Sequence, residues 1–198
     1  MPAALILIAD GTEEMEFTIT YDVLVRGGVK TTSAFVPDLS SPSVSVSPPA
    51  AKGSRGINII PDSYLDFGEC GPDKYDLLVI PGGAKGAETM SKSPTVQELV
   101  RRYIQEKKFV GMICAGSLVA QSAKLEKQPI TSHPSVKAQL ENEFDYSEKP
   151  VVVSDYLITS RGPGTTFPFA LTLVELLCGK ERREEIRGPM VFPANTPF

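Results

Sequence analysis

Cys114 stands where a thiol can do chemistry. The apolar run Phe109-Val110-Gly111-Met112-Ile113 leads directly into Cys114-Ala115-Gly116-Ser117 and then into the helical segment Leu118 to Lys124. A strand, a tight turn and a helix in that order make a nucleophile elbow, which lifts a reactive side chain above a sheet. The start of a helix favours a thiolate, so the thiol is expected to ionise below the free value of about 8.5. Cys178 lies in an apolar helical stretch and reads as structural, and Cys70, between glycines, reads as a plain surface thiol.

Three further groups can serve such a thiol. Glu13, Glu14 and Glu16 follow the first apolar run, in Asp10-Gly11-Thr12-Glu13-Glu14-Met15-Glu16. A carboxyl there can reach Cys114 and move a proton, or it can simply complement the start of its own helix. For Glu13 and Glu14 the helix-start role is preferred, and spacing alone does not separate Glu16 from them. Gly82 and Gly83, after Pro81, offer main-chain N–H groups that with Ala115 can form an oxyanion hole, although a plain turn has the same signature. His133, the only histidine, is the one imidazole that can take part. No Gly-x-Ser-x-Gly elbow is present, so a serine triad is poorly supported.

The elements that must hold these residues alternate. Residues 3–9 form a continuous apolar run, 13–26 an amphipathic helix closed by Gly27-Gly28, and 29–36 a strand. Residues 57–60 form a short strand and 76–80 a buried one. Ser93-Pro94 opens a helix to about Lys107, and 109–113 is the strand before the cysteine. Residues 150–153 and 156–159 read as paired strands, and Thr165 to Cys178 as an apolar helix. This alternation predicts an α/β fold: a mostly parallel sheet with helices on both faces, in one domain spanning 1–198. Chemistry in such sheets sits beyond the carboxyl ends of the strands, where the three loops at 10–16, 81–83 and 114–116 should meet. Residues 37–55, rich in Ser and Pro, read as a surface excursion that adds little core.

Composition narrows the partners. The net charge is −4 and no Lys/Arg block stands out, which argues against nucleic acid or an anionic membrane as the main partner. The apolar start, Met1 to Ala9, is too short for a membrane span and lacks a basic lead-in, so it reads as a strand. Three unpaired cysteines with no Cys-x-x-Cys spacing, and one histidine, predict no metal site and a reducing compartment, cytoplasm or nucleus.

Five ordered motifs together resemble the ThiJ/PfpI superfamily, within it the small branch that includes the parkinsonism-associated deglycase. They are Gly11-Thr12-Glu13-Glu14-Met15-Glu16, Val79-Ile80-Pro81-Gly82-Gly83, Ile113-Cys114-Ala115-Gly116, Thr131-Ser132-His133-Pro134 and Thr159 to Thr165. The resemblance implies a flavodoxin-like three-layer sandwich that forms a homodimer. It places Cys114 on a reactive, peroxide-sensitive cysteine and Glu16 on its protonated partner. Gly83 and Ala115 fall on oxyanion-hole amides and His133 on a nearby histidine. Arg161 and Arg26 fall on basic positions near the pocket mouth. The implied activity is a cofactor-free glyoxalase that turns a small 2-oxoaldehyde, methylglyoxal, into lactate without glutathione. The same residues would serve repair of glycated thiols and amines. The alternative is a redox sensor read out through oxidation of Cys114. Protease-like branches carry His directly after the cysteine; Ala115 stands there instead, which weakens a peptidase reading.

Overall fold

A computed structural model describes residues 1–38 and 50–198. In chain order the strands and helices begin with β1 (Ala3–Ile8), α1 (Glu14–Arg26), β2 (Lys30–Phe35), β3 (Ala51–Lys52), β4 (Asn58–Ile59), β5 (Ser63–Tyr64) and β6 (Leu77–Ile80). Then come α2 (Ala84–Lys92), α3 (Pro94–Gln105), β7 (Phe109–Ile113), α4 (Leu118–Ser122), β8 (Pro129–Ile130), α5 (Lys137–Leu140) and β9 (Asp145–Tyr146). The chain closes with β10 (Val151–Ser154), β11 (Leu157–Ser160), α6 (Thr166–Cys178) and α7 (Lys180–Arg187).

Seven strands form one sheet in the order β10-β11-β7-β6-β1-β2-β5, parallel throughout except for the β10–β11 hairpin. The inner order β2-β1-β6-β7-β11 is the flavodoxin-like winding, which reverses direction between β1 and β6. The apolar run of β1 explains its central place: Leu5, Ile6, Leu7 and Ile8 are fully buried, each worth about 1.5–3 kcal/mol relative to exposure. Helices α1 and α6 pack together on one face; α2, α3 and α4 pack together on the other. Local signals set the helix ends. The Glu13 carboxylate caps α1, the Ser93 hydroxyl caps α3 with Pro94 in its first turn, and Gly179 ends α6 at φ +89°.

Two elements depart from the sequence reading. Residues 84–92 form a helix because Gly83 turns the chain straight off the end of β6; their polar composition hides it. The excursion expected over 37–55 falls partly outside the described residues. Its last part is β3, which pairs antiparallel with β4 and buries Ala51 fully. That hairpin is fastened to the first βα loop. Gly11 donates its N–H to the Lys52 carbonyl at 2.7 Å, and Ser54 donates its own to the Thr12 carbonyl at 2.8 Å. Among the described residues no helix is long and apolar enough to cross a membrane.

Candidate active site

Three loops meet at the winding reversal. In-register pairing of β1 with β6 and of β6 with β7 brings the ends of the three strands side by side. Thr12 and Glu13 leave β1, Gly82 and Gly83 leave β6, and Cys114 leaves β7. Glu13 donates its N–H to the Gly82 carbonyl at 3.1 Å, which zips the first loop to the second.

Cys114 opens a 3-10 turn, Cys114–Ser117, that runs into α4. Its φ is +62°, a left-handed conformation that costs a residue with a Cβ on the order of 1–2 kcal/mol. The strain belongs to the elbow: the strand must turn sharply to present the side chain. The residue is 8% exposed, so the sulfur is almost wholly enclosed.

Glu16, in the first turn of α1, points inward and is fully buried. Its Oε2 accepts the Gly82 N–H at 2.7 Å, and its carboxyl hydrogen-bonds with Cys114. Oε1 is buried and has no hydrogen-bond partner. Gly82 is what lets these groups approach: a Cβ there would lie 2.6 Å from Cys114 Cβ, 2.7 Å from Glu16 Oε2 and 3.0 Å from Sγ. Gly83 takes φ +87°, and its Cβ would drive into the Gly11 carbonyl and the Glu13 nitrogen. Glycine at 82 and 83 is therefore the condition for loop, carboxyl and thiol to share one small space.

The electrostatics follow from burial. Desolvation pushes the Glu16 carboxyl up to about 7, against the pull of the Gly82 N–H and of Cys114. Burial, and after it the Glu16 carboxylate, push the Cys114 thiol up to about 12, while the N–H groups of Ala115 and Gly83 aim at the sulfur and pull the other way. This corrects the expectation of a thiol below its free value. Two short helical turns supply too little dipole to offset enclosure beside a carboxylate. With the acid near 7 and the thiol near 12, the carboxyl is the group that titrates around neutral pH, and the sulfur keeps its proton.

The structure sorts the remaining candidates. Ala115 and Gly83 present their N–H groups to the sulfur. Gly82 does not join them, because its N–H is spent on Glu16. His133 follows β8, and its main-chain N–H donates to the Cys114 carbonyl at 3.3 Å. Its ring Nδ1 is taken by Ser135, through the main-chain N–H at 3.2 Å and the hydroxyl at 2.8 Å. Arg161 directs Nη1 to the Glu148 carbonyl at 3.1 Å, and the adjoining Gly162 lies against the His133 ring. Arg26 is not at the pocket mouth of its own chain. It sits exposed in the last turn of α1, ten residues and about 15 Å beyond Glu16, paired with Asp22.

A model of the DJ-1/PfpI family matches residues 2–176. The chain belongs to the DJ-1/PfpI family. It is 39% identical over 195 residues to protein dj-1beta of Drosophila melanogaster, covering 98% of each chain. It is 36% identical over 191 residues to a Schizosaccharomyces pombe protein named glutathione-independent glyoxalase DJ-1, covering 95% of this chain and 97% of that one. The crystal structure of Drosophila melanogaster DJ-1beta superposes with a TM-score of 0.86 at 38% identity, over 97% of this chain and 99% of that one.

Within this family fold, sequence reasoning missed the buried polar struts beneath the site. Ser117 Oγ donates to the Thr131 carbonyl at 2.9 Å, and the Thr131 N–H donates to Thr159 Oγ1 at 2.9 Å. They tie the elbow, the His133 loop and β11 together directly. Hydroxyls in runs that otherwise read as core were the only signal. From its position alone Glu14 is expected to serve as a helix-start charge. It is buried instead, and takes the Arg55 N–H and Ser54 Oγ of the β3–β4 turn. Burial works to raise its carboxyl, but the hydrogen bonds, from its own main chain, Arg55, Ser54 and Ile57, outweigh it and hold it low. Cys70 is not a surface thiol: it is 2% exposed, and burial raises it. Cys178 is half-buried at the end of α6. Among the described residues no three His, Cys, Asp or Glu side chains are placed to hold a metal ion.

Proposed function

We propose that the protein is a glutathione-independent glyoxalase that converts methylglyoxal to lactate through a covalent adduct on Cys114. The observation that carries this reading is the fully buried Glu16 carboxyl, raised to about 7 by burial and hydrogen-bonded to the Cys114 thiol beside two main-chain donors. A carboxyl ordinarily titrates near 4.3; one poised at the working pH can both take and return a proton. The Schizosaccharomyces pombe relative that carries the glyoxalase name supports the same reading.

The chemistry balances with water alone. As Sγ bonds to the aldehyde carbon, the thiol proton passes to the Glu16 carboxylate. The carbonyl electron pair moves to oxygen, held by the Gly83 and Ala115 N–H groups, and protonation gives the hemithioacetal. Loss of the hydrogen on that carbon and protonation of its neighbour, through an enediol, yields the lactoyl thioester. Glu16 carries this proton, with the free Nε2 side of His133 as the second acid–base group. Water then breaks the S–C bond, releases lactate and restores the thiol.

This reading is preferred to the redox sensor because a carboxyl poised at neutral pH serves a shuttle between carbons, which oxidation of a sulfur does not require. The test is incubation of the purified protein with methylglyoxal in the absence of glutathione, followed by lactate. Glu16→Gln and Cys114→Ala are expected to abolish lactate formation. A Cys114→Ala protein that makes lactate at the parent rate overturns the proposal.

A further inference from the structure

The carboxyl that works on Cys114 is held by a closed ring of three hydrogen bonds. The Glu13 carboxylate accepts the Glu16 N–H at 2.9 Å. The Glu16 Oε2 accepts the Gly82 N–H at 2.7 Å. The Gly82 carbonyl accepts the Glu13 N–H at 3.1 Å. Each bond fixes a different degree of freedom. The first sets where α1 begins and which way residue 16 leaves it. The second sets the plane of the Glu16 carboxyl. The third holds the two loops at the distance the other bonds need. Glu13 takes part in two of the three, one through its side chain and one through its main chain.

We propose that Glu13 is a positioning residue for Glu16: its side chain and main chain together fix the Glu16 carboxyl against Gly82 and Cys114, and they set a negative charge beside that buried acid. A helix cap needs only an acceptor, and Ser, Thr or Asn caps as well as an acid does. The capping bond alone therefore does not call for a full negative charge next to a buried acid, where like charges oppose ionisation. Among the described residues, the ionisable groups that act on Glu16 are Glu13, from its own loop, and Cys114, from the elbow; Gly82 contributes only a main-chain donor. Burial raises Glu16 most, and the charge of Glu13 adds in the same direction. Geometry and charge thus come from one side chain, and they can be separated.

The inference does not depend on the glyoxalase reading, because its primary readout is the carboxyl itself. Parent, Glu13→Gln and Glu13→Asp proteins are labelled with 13C at the glutamate carboxyls, and Glu16 is assigned by its loss in Glu16→Gln. Glutamine keeps the acceptor and removes the charge, so the Glu16 midpoint in Glu13→Gln is expected at lower pH than in the parent. Aspartate restores the charge, so the midpoint returns toward the parent value. The acidic limb of kcat/KM with methylglyoxal is expected to follow the same two shifts. An unmoved or raised midpoint in Glu13→Gln overturns the proposal, as does a Glu13→Asp midpoint equal to that of Glu13→Gln. A midpoint that moves as stated in a protein that makes no lactate leaves Glu13 in its role and removes the proposed function instead.

Discussion

The main-chain N–H of His133 bonds to the main-chain carbonyl of Cys114 at 3.3 Å, so histidine and nucleophile are joined through backbone and not through the imidazole. The elbow is therefore indifferent to the residue type at 133. In His133→Ala the rate at which iodoacetamide alkylates Cys114 should match the parent. Turnover of methylglyoxal should fall by about 10²-fold, the lower range for loss of one acid–base group. Equal losses in both assays would show that the ring supports the fold and moves no proton.

Gly82 decides whether thiol and acid can meet. In Gly82→Ala the added methyl needs space already held by Cys114 and Glu16. Overpacking of this kind costs about 1–3 kcal/mol, which urea unfolding will measure. Lactate formation should be lost even where the protein remains folded, because the carboxyl must swing off the Gly82 N–H.

Glu16 makes stability depend on pH with an unusual sign. Its folded value, about 7, lies above its unfolded value of 4.5. Between those values the native state binds the proton and the unfolded chain does not, so stability falls as pH rises. The contribution is fully present below about 4.5 and gone above about 7, on the order of 3 kcal/mol in all. Urea midpoints of parent and Glu16→Gln at pH 5 and pH 8 should therefore diverge, with the variant gaining on the parent at the higher pH. A difference that stays constant across that range would contradict the buried acid.

Glu14 acts as a clasp. Glu14→Ala removes the acceptor of the part-buried Arg55 N–H and of the Ser54 hydroxyl, a loss of about 0.5–1.5 kcal/mol per hydrogen bond. Amide hydrogen exchange should accelerate at Arg55 and Ile57 while β1 and β6 stay protected. Uniform acceleration through the sheet would mean that the hairpin is not a separable unit.

The sheet was legible because its central strands are buried on both faces. Runs such as Ala4 to Ile8 and Leu77 to Ile80 have no polar alternation to confuse them. The two-residue strands β3, β5, β8 and β9 carry no periodicity, and α2 hides behind polar residues that face water. Cys114 was legible from its elbow. Glu16 was not separable from Glu13 and Glu14 by spacing, because all three start the same helix; only the inward turn of residue 16 toward Gly82 tells them apart. The direction of the thiol shift was misread, since helix starts are visible in a sequence and enclosure by a distant carboxylate is not.

Cys114 and Glu16 lie almost half the chain apart, and the winding of the sheet alone makes them neighbours. During synthesis, the glutamate and the glycines emerge long before the cysteine. Until β7 docks beside β6, residue 114 is an ordinary thiol with no acid at hand and no amides aimed at it. The acid and the donors thus reach the thiol only in the closed sheet, and a copy in which β7 has not docked holds residue 114 without either.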